Sequence, residues 1–227
     1  MKFAKKLAAV SLAFIGASGT ASAESQFVTL PAVGTQSATA RLDFRITIPR
    51  FLFLRVGTGN AFGAANNTTI NLIDFNIPAA SVGTNTAATP FAANGSTAAT
   101  QGDIGAGTVT ARLVANSWSG TATLTATAGG PLSNGTETID YTKIGVTTAA
   151  LAGVASLLTH PATLTNGVTS FTGVTATTGT KVIERGAQWT FAYANDAVVA
   201  DGVYGQTAAA AGASVNNGRI VYTATQP

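Results

Sequence analysis

Residues 41–56, Arg41-Leu-Asp-Phe-Arg-Ile-Thr-Ile-Pro-Arg-Phe-Leu-Phe-Leu-Arg-Val56, carry the densest hydrophobic pattern after residue 23. From Leu42 to Ile48 the positions alternate. Leu42, Phe44, Ile46 and Ile48 fall on one side, and Arg41, Asp43, Arg45 and Thr47 on the other. A period of two predicts a strand with one buried and one wet face. Pro49 has no N–H for a ladder, so the chain bends, bulges or lies at a sheet edge there. Phe51, Leu52, Phe53 and Leu54 are then apolar on both faces, which suits a strand between two layers. Arg50 and Arg55 flank this run and read as gatekeepers against wrong pairing. The expectation is two consecutive core strands, or one bent strand. The alternative is a surface, or groove, for another chain.

Similar but weaker patterns recur downstream. Thr68–Phe75 is a strand candidate that ends near Pro78. Residues 79–106 are rich in Ala, Gly, Thr, Asn and Ser and read as a long excursion or a set of short edge strands. Thr108–Trp118 places Val109, Ala111 and Leu113 on one face, and Thr121–Ala128 follows a Ser119-Gly120 turn as its expected hairpin partner. Thr138–Val146 is the next strand. Leu151–Leu158 is the one stretch with helical spacing. Short strands are expected at Thr163–Thr165, Val168–Thr175 and Val182–Glu184, separated by Asn-Gly and Arg-Gly steps. Gln188–Tyr193 sets Trp189, Phe191 and Tyr193 on one face, the usual mark of a core strand. Asp201-Gly-Val-Tyr204 resembles a tyrosine corner. Arg219–Thr225 closes the chain, with Ile220, Tyr222 and Ala224 on one side. Roughly ten short strands at close spacing predict an all-β fold, an immunoglobulin-like antiparallel β-sandwich.

The start of the chain reads differently. Lys2, Lys5 and Lys6 precede an apolar run from Leu7 to Gly16 and a small-residue Ala21-Ser-Ala23 site, the pattern of a signal peptide spanning 1–23. Residues 24–40 then form an N-terminal arm, and 41–227 the β-sandwich domain. Loss of the leader changes the charge. The twelve basic residues fall to nine, matching nine acidic ones, so the basic balance is no sign of nucleic-acid binding. No stretch reaches the roughly 20 apolar residues of a membrane helix. The chain has no cysteine, which excludes disulfide frameworks, thiolate metal sites and cysteine nucleophiles.

Chemistry is sparse. His160 is the single histidine, and no Gly-x-Ser-x-Gly elbow accompanies it. Asp196 and Asp201 are isolated loop acids that cap turns more often than they hold cations. The Gly57–Gly63 loop lacks the lysine and following helix of a phosphate cradle. Trp118, beside Asn116 and Ser117, could stack on a sugar if exposed. The reading is therefore a non-enzymatic protein without cofactor or metal.

The leader, the small-residue arm, the strand ending at Ile48-Pro49, Gly202-Val-Tyr204 and Tyr222 together resemble bacterial fimbrial and pilin-like surface proteins. That resemblance implies an incomplete sandwich completed by a neighbour's N-terminal arm, a form of strand addition. It makes 24–40 the donor, with Phe27, Val28 and Leu30 as candidate inter-subunit residues. It also makes 219–225 the strand that flanks the groove, through Ile220 and Tyr222. The expected function is a structural protein of the cell surface or secreted matrix. Its partners would be further copies or other surface subunits, and its location the periplasm, cell surface or exterior. A secreted carbohydrate- or surface-binding module is the alternative.

Overall fold

The computed structural model describes residues 25–29, 33–67, 70–88, 107–116, 118–175, 180–205 and 218–227. The expected leader, Leu30 and most of 79–106 lie outside them. The chain divides into two units, 1–48 and 49–227.

The described part of the first unit is irregular chain, with a bend at Val33–Gly34, and holds no paired strand. A hydrogen bond from the Thr39 amide to Gln26 Oε1 (2.8 Å) links two points of the arm. Leu42, Phe44, Ile46 and Ile48 are 77%, 85%, 85% and 74% exposed. This corrects the expectation of a core strand over 42–48. The alternation is present, but among the described residues its apolar side chains stay exposed.

The second unit is all-β and antiparallel. Nine strands are described: β1 Leu52–Val56, β2 Thr108–Asn116, β3 Thr121–Ala128, β4 Leu132–Ser133, β5 Thr138–Ile139, β6 Ile144–Ala150, β7 Thr169–Thr175, β8 Val182–Tyr193 and β9 Ile220–Thr225. A four-stranded sheet runs β1-β2-β8-β6, a three-stranded sheet runs β7-β3-β9, and β4 pairs with β5. The two larger sheets share one core. Val109, Ala111, Leu113 and Ala115 of β2 meet Ile183, Ala187, Trp189 and Phe191 of β8, with Ala122 and Leu124 of β3 and Val174 of β7. Alanines opposite large rings let the layers interdigitate at interior density. On β3 the intervening threonines face outward, and Thr127 meets Thr169 of β7 through their hydroxyls (2.8 Å).

Five further expectations change. β2 and β3 are not a hairpin pair, because the turn between them carries the chain from one sheet to the other. The strands expected at 182–184 and 188–193 are one strand, β8, which runs through Gly186. Thr163–Thr165 forms no strand, and neither does the described part of 68–75. The helical spacing at 151–158 folds as irregular chain. There Gly186 accepts from the Leu158 amide (3.2 Å) and donates to the Ser156 carbonyl (3.0 Å). A Cβ on Gly186 would lie 2.9 Å from Leu151 Cδ2, so only glycine lets this loop settle on β8. Leu158 is buried, and its carbonyl accepts from Trp189 Nε1 (2.8 Å).

Candidate assembly site

β1 is an edge strand whose only ladder among the described residues is with β2. Its parity follows from the flanking bonds. Gly57 N donates to Thr110 O (2.8 Å), and Asn116 N donates to Phe51 O (3.4 Å). The Asn116 side chain extends the same edge, accepting from Phe51 N (2.7 Å) and donating to Pro49 O (2.8 Å). Antiparallel bonds alternate along a strand. Odd-numbered residues of β1 therefore turn their polar groups to β2, and Leu52, Leu54 and Val56 turn theirs to the free edge.

The side chains of β1 divide in the same way. Leu54 and Val56 pack on the shared core but stay only partly buried. Leu52 is 38% exposed. Phe51 and Phe53 gather with Phe62, at centroid distances of 5.1 and 5.5 Å. Phe62 lies in the glycine-rich loop read only as a turn, and nothing in its local spacing marks it as a packing residue. Arg55 stands directly opposite Arg112 of β2. Arg112 has an ion-pair partner in Glu184. Arg55 has none among the described residues, and its Nε is buried without a hydrogen bond.

β9 is the other relevant edge, pairing only with β3 among the described residues. Ile220, Tyr222 and Ala224 lean on the same core as Leu54 and are likewise partly buried. Arg50 holds the chain end near the start of β1, donating to Gln226 O (2.8 Å) and to Pro227 O. Gln226 Nε2 donates to Phe51 O (3.2 Å). The structure thus brings Leu54, Ile220 and Tyr222 to one core and sets Phe51 and Phe53 apart with Phe62. In the arm, Phe27 is 90% exposed and Val28 half-buried.

The remaining candidates have structural surroundings. His160 is buried against Trp189, Phe191 and Tyr222, with its ring 4.7 Å from that of Trp189. Its Nδ1 is 2.7 Å from Pro161 O and its Nε2 is 2.9 Å from the Tyr222 hydroxyl. A carbonyl only accepts, so Nδ1 carries the proton and Nε2 accepts from Tyr222. Burial holds the histidine below its ordinary value and the Tyr222 phenol above its own. Asp196 pairs with Lys143 at 2.6 Å, a hydrogen bond that pulls the carboxyl down and the ammonium up. Among the described residues no group of three or more His, Cys, Asp or Glu could hold a metal ion, and no helix is long and apolar enough to cross a membrane. Trp118 is 86% exposed at the tip between β2 and β3. Comparison with protein-family models, curated proteins and solved structures returns no match.

Proposed function

We propose that the chain is a structural protein of the bacterial cell surface or secreted matrix, a fimbria-like subunit whose copies join by strand addition. The leader at 1–23 would export it to the periplasm, cell surface or exterior. One observation carries the reading. Residues 42–48 hold four large apolar side chains at strand spacing, exposed and without a paired strand among the described residues. Such a row is a strand without a sheet, and a contiguous exposed apolar row marks an interaction site. The donor in this reading is 41–48, which carries the long alternating row that 24–40 lacks.

Two features support the rest. The hydrophobics of β1 and β9 that pack on the shared core are only partly buried. The Tyr204 hydroxyl donates to the Ala200 carbonyl four residues upstream (3.0 Å), as a tyrosine corner does, which favours an immunoglobulin-like sandwich. The test replaces Leu42, Phe44, Ile46 and Ile48 together by serine. The native protein should self-associate in light scattering and give assemblies in electron micrographs, and the variant should be a folded monomer. A native chain that stays monomeric at high concentration removes the proposal.

The exposure of Trp118 favours a second reading, a carbohydrate-binding module, because an exposed indole in the turn between β2 and β3 can stack on a sugar. A glycan array on native protein and Trp118→Ala separates the two readings.

A further inference from the structure

Resting on that reading, we propose that the donor segment adds to the free edge of β1 in a second copy, in one register, and that the exchange is reciprocal. Three constraints agree on it.

The first is parity. Leu52, Leu54 and Val56 turn their N–H and C=O groups to the free edge, and no other hydrogen bond among the described residues uses them. Leu54 and Val56 also point their side chains at the core. A strand added there must present, at the same positions, backbone groups toward β1 and apolar side chains toward the core. An antiparallel partner does so when Leu42 faces Val56, Phe44 faces Leu54 and Ile46 faces Leu52.

The second is charge. In that register the outward residues between these pairs place Asp43 against Arg55, a cation without an ion-pair partner among the described residues. They also place Arg45 beside Phe53 and Phe62, where a guanidinium can lie against a ring. A slip of two residues keeps the faces correct but sets Arg41 or Arg45 directly against Arg55. Directly opposed like charges are destabilising. Both neighbouring registers are therefore disfavoured by the arginines that bracket Asp43.

The third is the proline. The register is centred on Pro49, which faces its own counterpart in the second copy. Pro49 is odd-numbered, like the β1 residues that turn away from the free edge. Its missing N–H thus falls on the side that the added strand does not use, a position where a ladder tolerates proline. A register centred on one residue also makes each copy donor and acceptor at once, an isologous two-fold contact.

The test uses the absence of cysteine from the chain. Non-hydrogen-bonded cross-strand pairs suit disulfide geometry. The double variant Asp43→Cys/Arg55→Cys should oxidise to a covalent dimer in non-reducing electrophoresis and mass spectrometry, and Arg45→Cys/Arg55→Cys should not. A dimer formed instead by Asp43→Cys/Thr223→Cys would move the acceptor edge to β9 and overturn this inference while leaving strand addition standing. If the first double variant forms its disulfide within one chain and stays monomeric, the segment folds back on its own β1, which also overturns it. If the native chain never associates, strand addition itself fails. As a second measurement, Asp43→Arg should weaken association roughly two- to thirtyfold, since each pair is lost twice per dimer. Asp43→Arg/Arg55→Asp should restore it, and a double variant no better than the single one would count against the pairing.

Discussion

Phe44 separates a core strand from a donor strand most sharply. Its ring is 85% exposed, so Phe44→Ala removes little that the monomer depends on, and monomer stability should change by about 0.5 kcal/mol or less. In the reciprocal pair the ring is covered opposite Leu54. Burying a phenylalanine contributes about 1.5–3 kcal/mol relative to exposure, and alanine recovers a small part of it. Taking about 2 kcal/mol per ring, with the loss counted once in each copy, association weakens by about 4 kcal/mol. That is roughly a thousandfold in dissociation constant. Sedimentation over a concentration series measures the association. Urea unfolding of dilute protein measures the monomer. Two results would refute the reasoning. One is a dissociation constant within about threefold of native. The other is a monomer destabilised by about 3–5 kcal/mol, the cost of emptying a core phenylalanine site.

Three further substitutions probe the scaffold. Trp189→Phe should cost about 1–3 kcal/mol in urea unfolding, because it leaves the buried Leu158 carbonyl without its donor; a change under about 0.5 kcal/mol would mean that water replaces the indole. His160 is held below its ordinary value of 6.5 by burial, so below that pH the unfolded chain binds more protons than the folded one. Stability should therefore fall as pH drops below 6.5, and thermal scans of His160→Gln should show a shallower fall than native. Gly186→Ala should cost about 1–3 kcal/mol and speed proteolysis within 151–158, since the new Cβ meets Leu151 at 2.9 Å and Val154 at 3.1 Å.

Period-two alternation located the core strands well, because each inward residue of β2, β3 and β8 needs apolar cover from the facing sheet. The same signal misplaced 42–48. Alternation states that a face requires cover and is silent on which chain supplies it. The Ser119-Gly120 step marked a reversal, yet reversal alone does not distinguish a hairpin from a crossing between sheets. Arg185-Gly186 read as a break because glycine weakens a strand. Here the bare backbone is what allows Leu151 and Val154 to lie on β8. Leu151, Val154 and Leu158 have helical spacing, but their partners are Gly186 and Trp189, remote in sequence and invisible to a local pattern. The free edge of β1 was likewise hidden. Its parity depends on Asn116 and Thr110, about sixty residues downstream, and the unpaired state of Arg55 depends on Glu184 lying beside Arg112 instead.

The arginines of the 41–55 stretch acquire a selecting role from this geometry. Arg41 and Arg45 bracket the one acid of the segment, so their charges penalise every neighbouring alignment against Arg55 while Asp43 rewards one. Repulsion does most of the selecting, because a surface ion pair alone contributes little. Centring on Pro49 then has a consequence for assembly. Each copy gives its segment and fills its β1 edge in the same contact, so the pair is closed. Strand addition at β9 would instead leave one donor and one acceptor free at every stage and grow without limit. Mass against concentration separates these geometries. A plateau at twice the monomer mass belongs to the reciprocal pair, and continued growth requires a second contact on another edge, β6 of the four-stranded sheet or β7 or β9 of the three-stranded one.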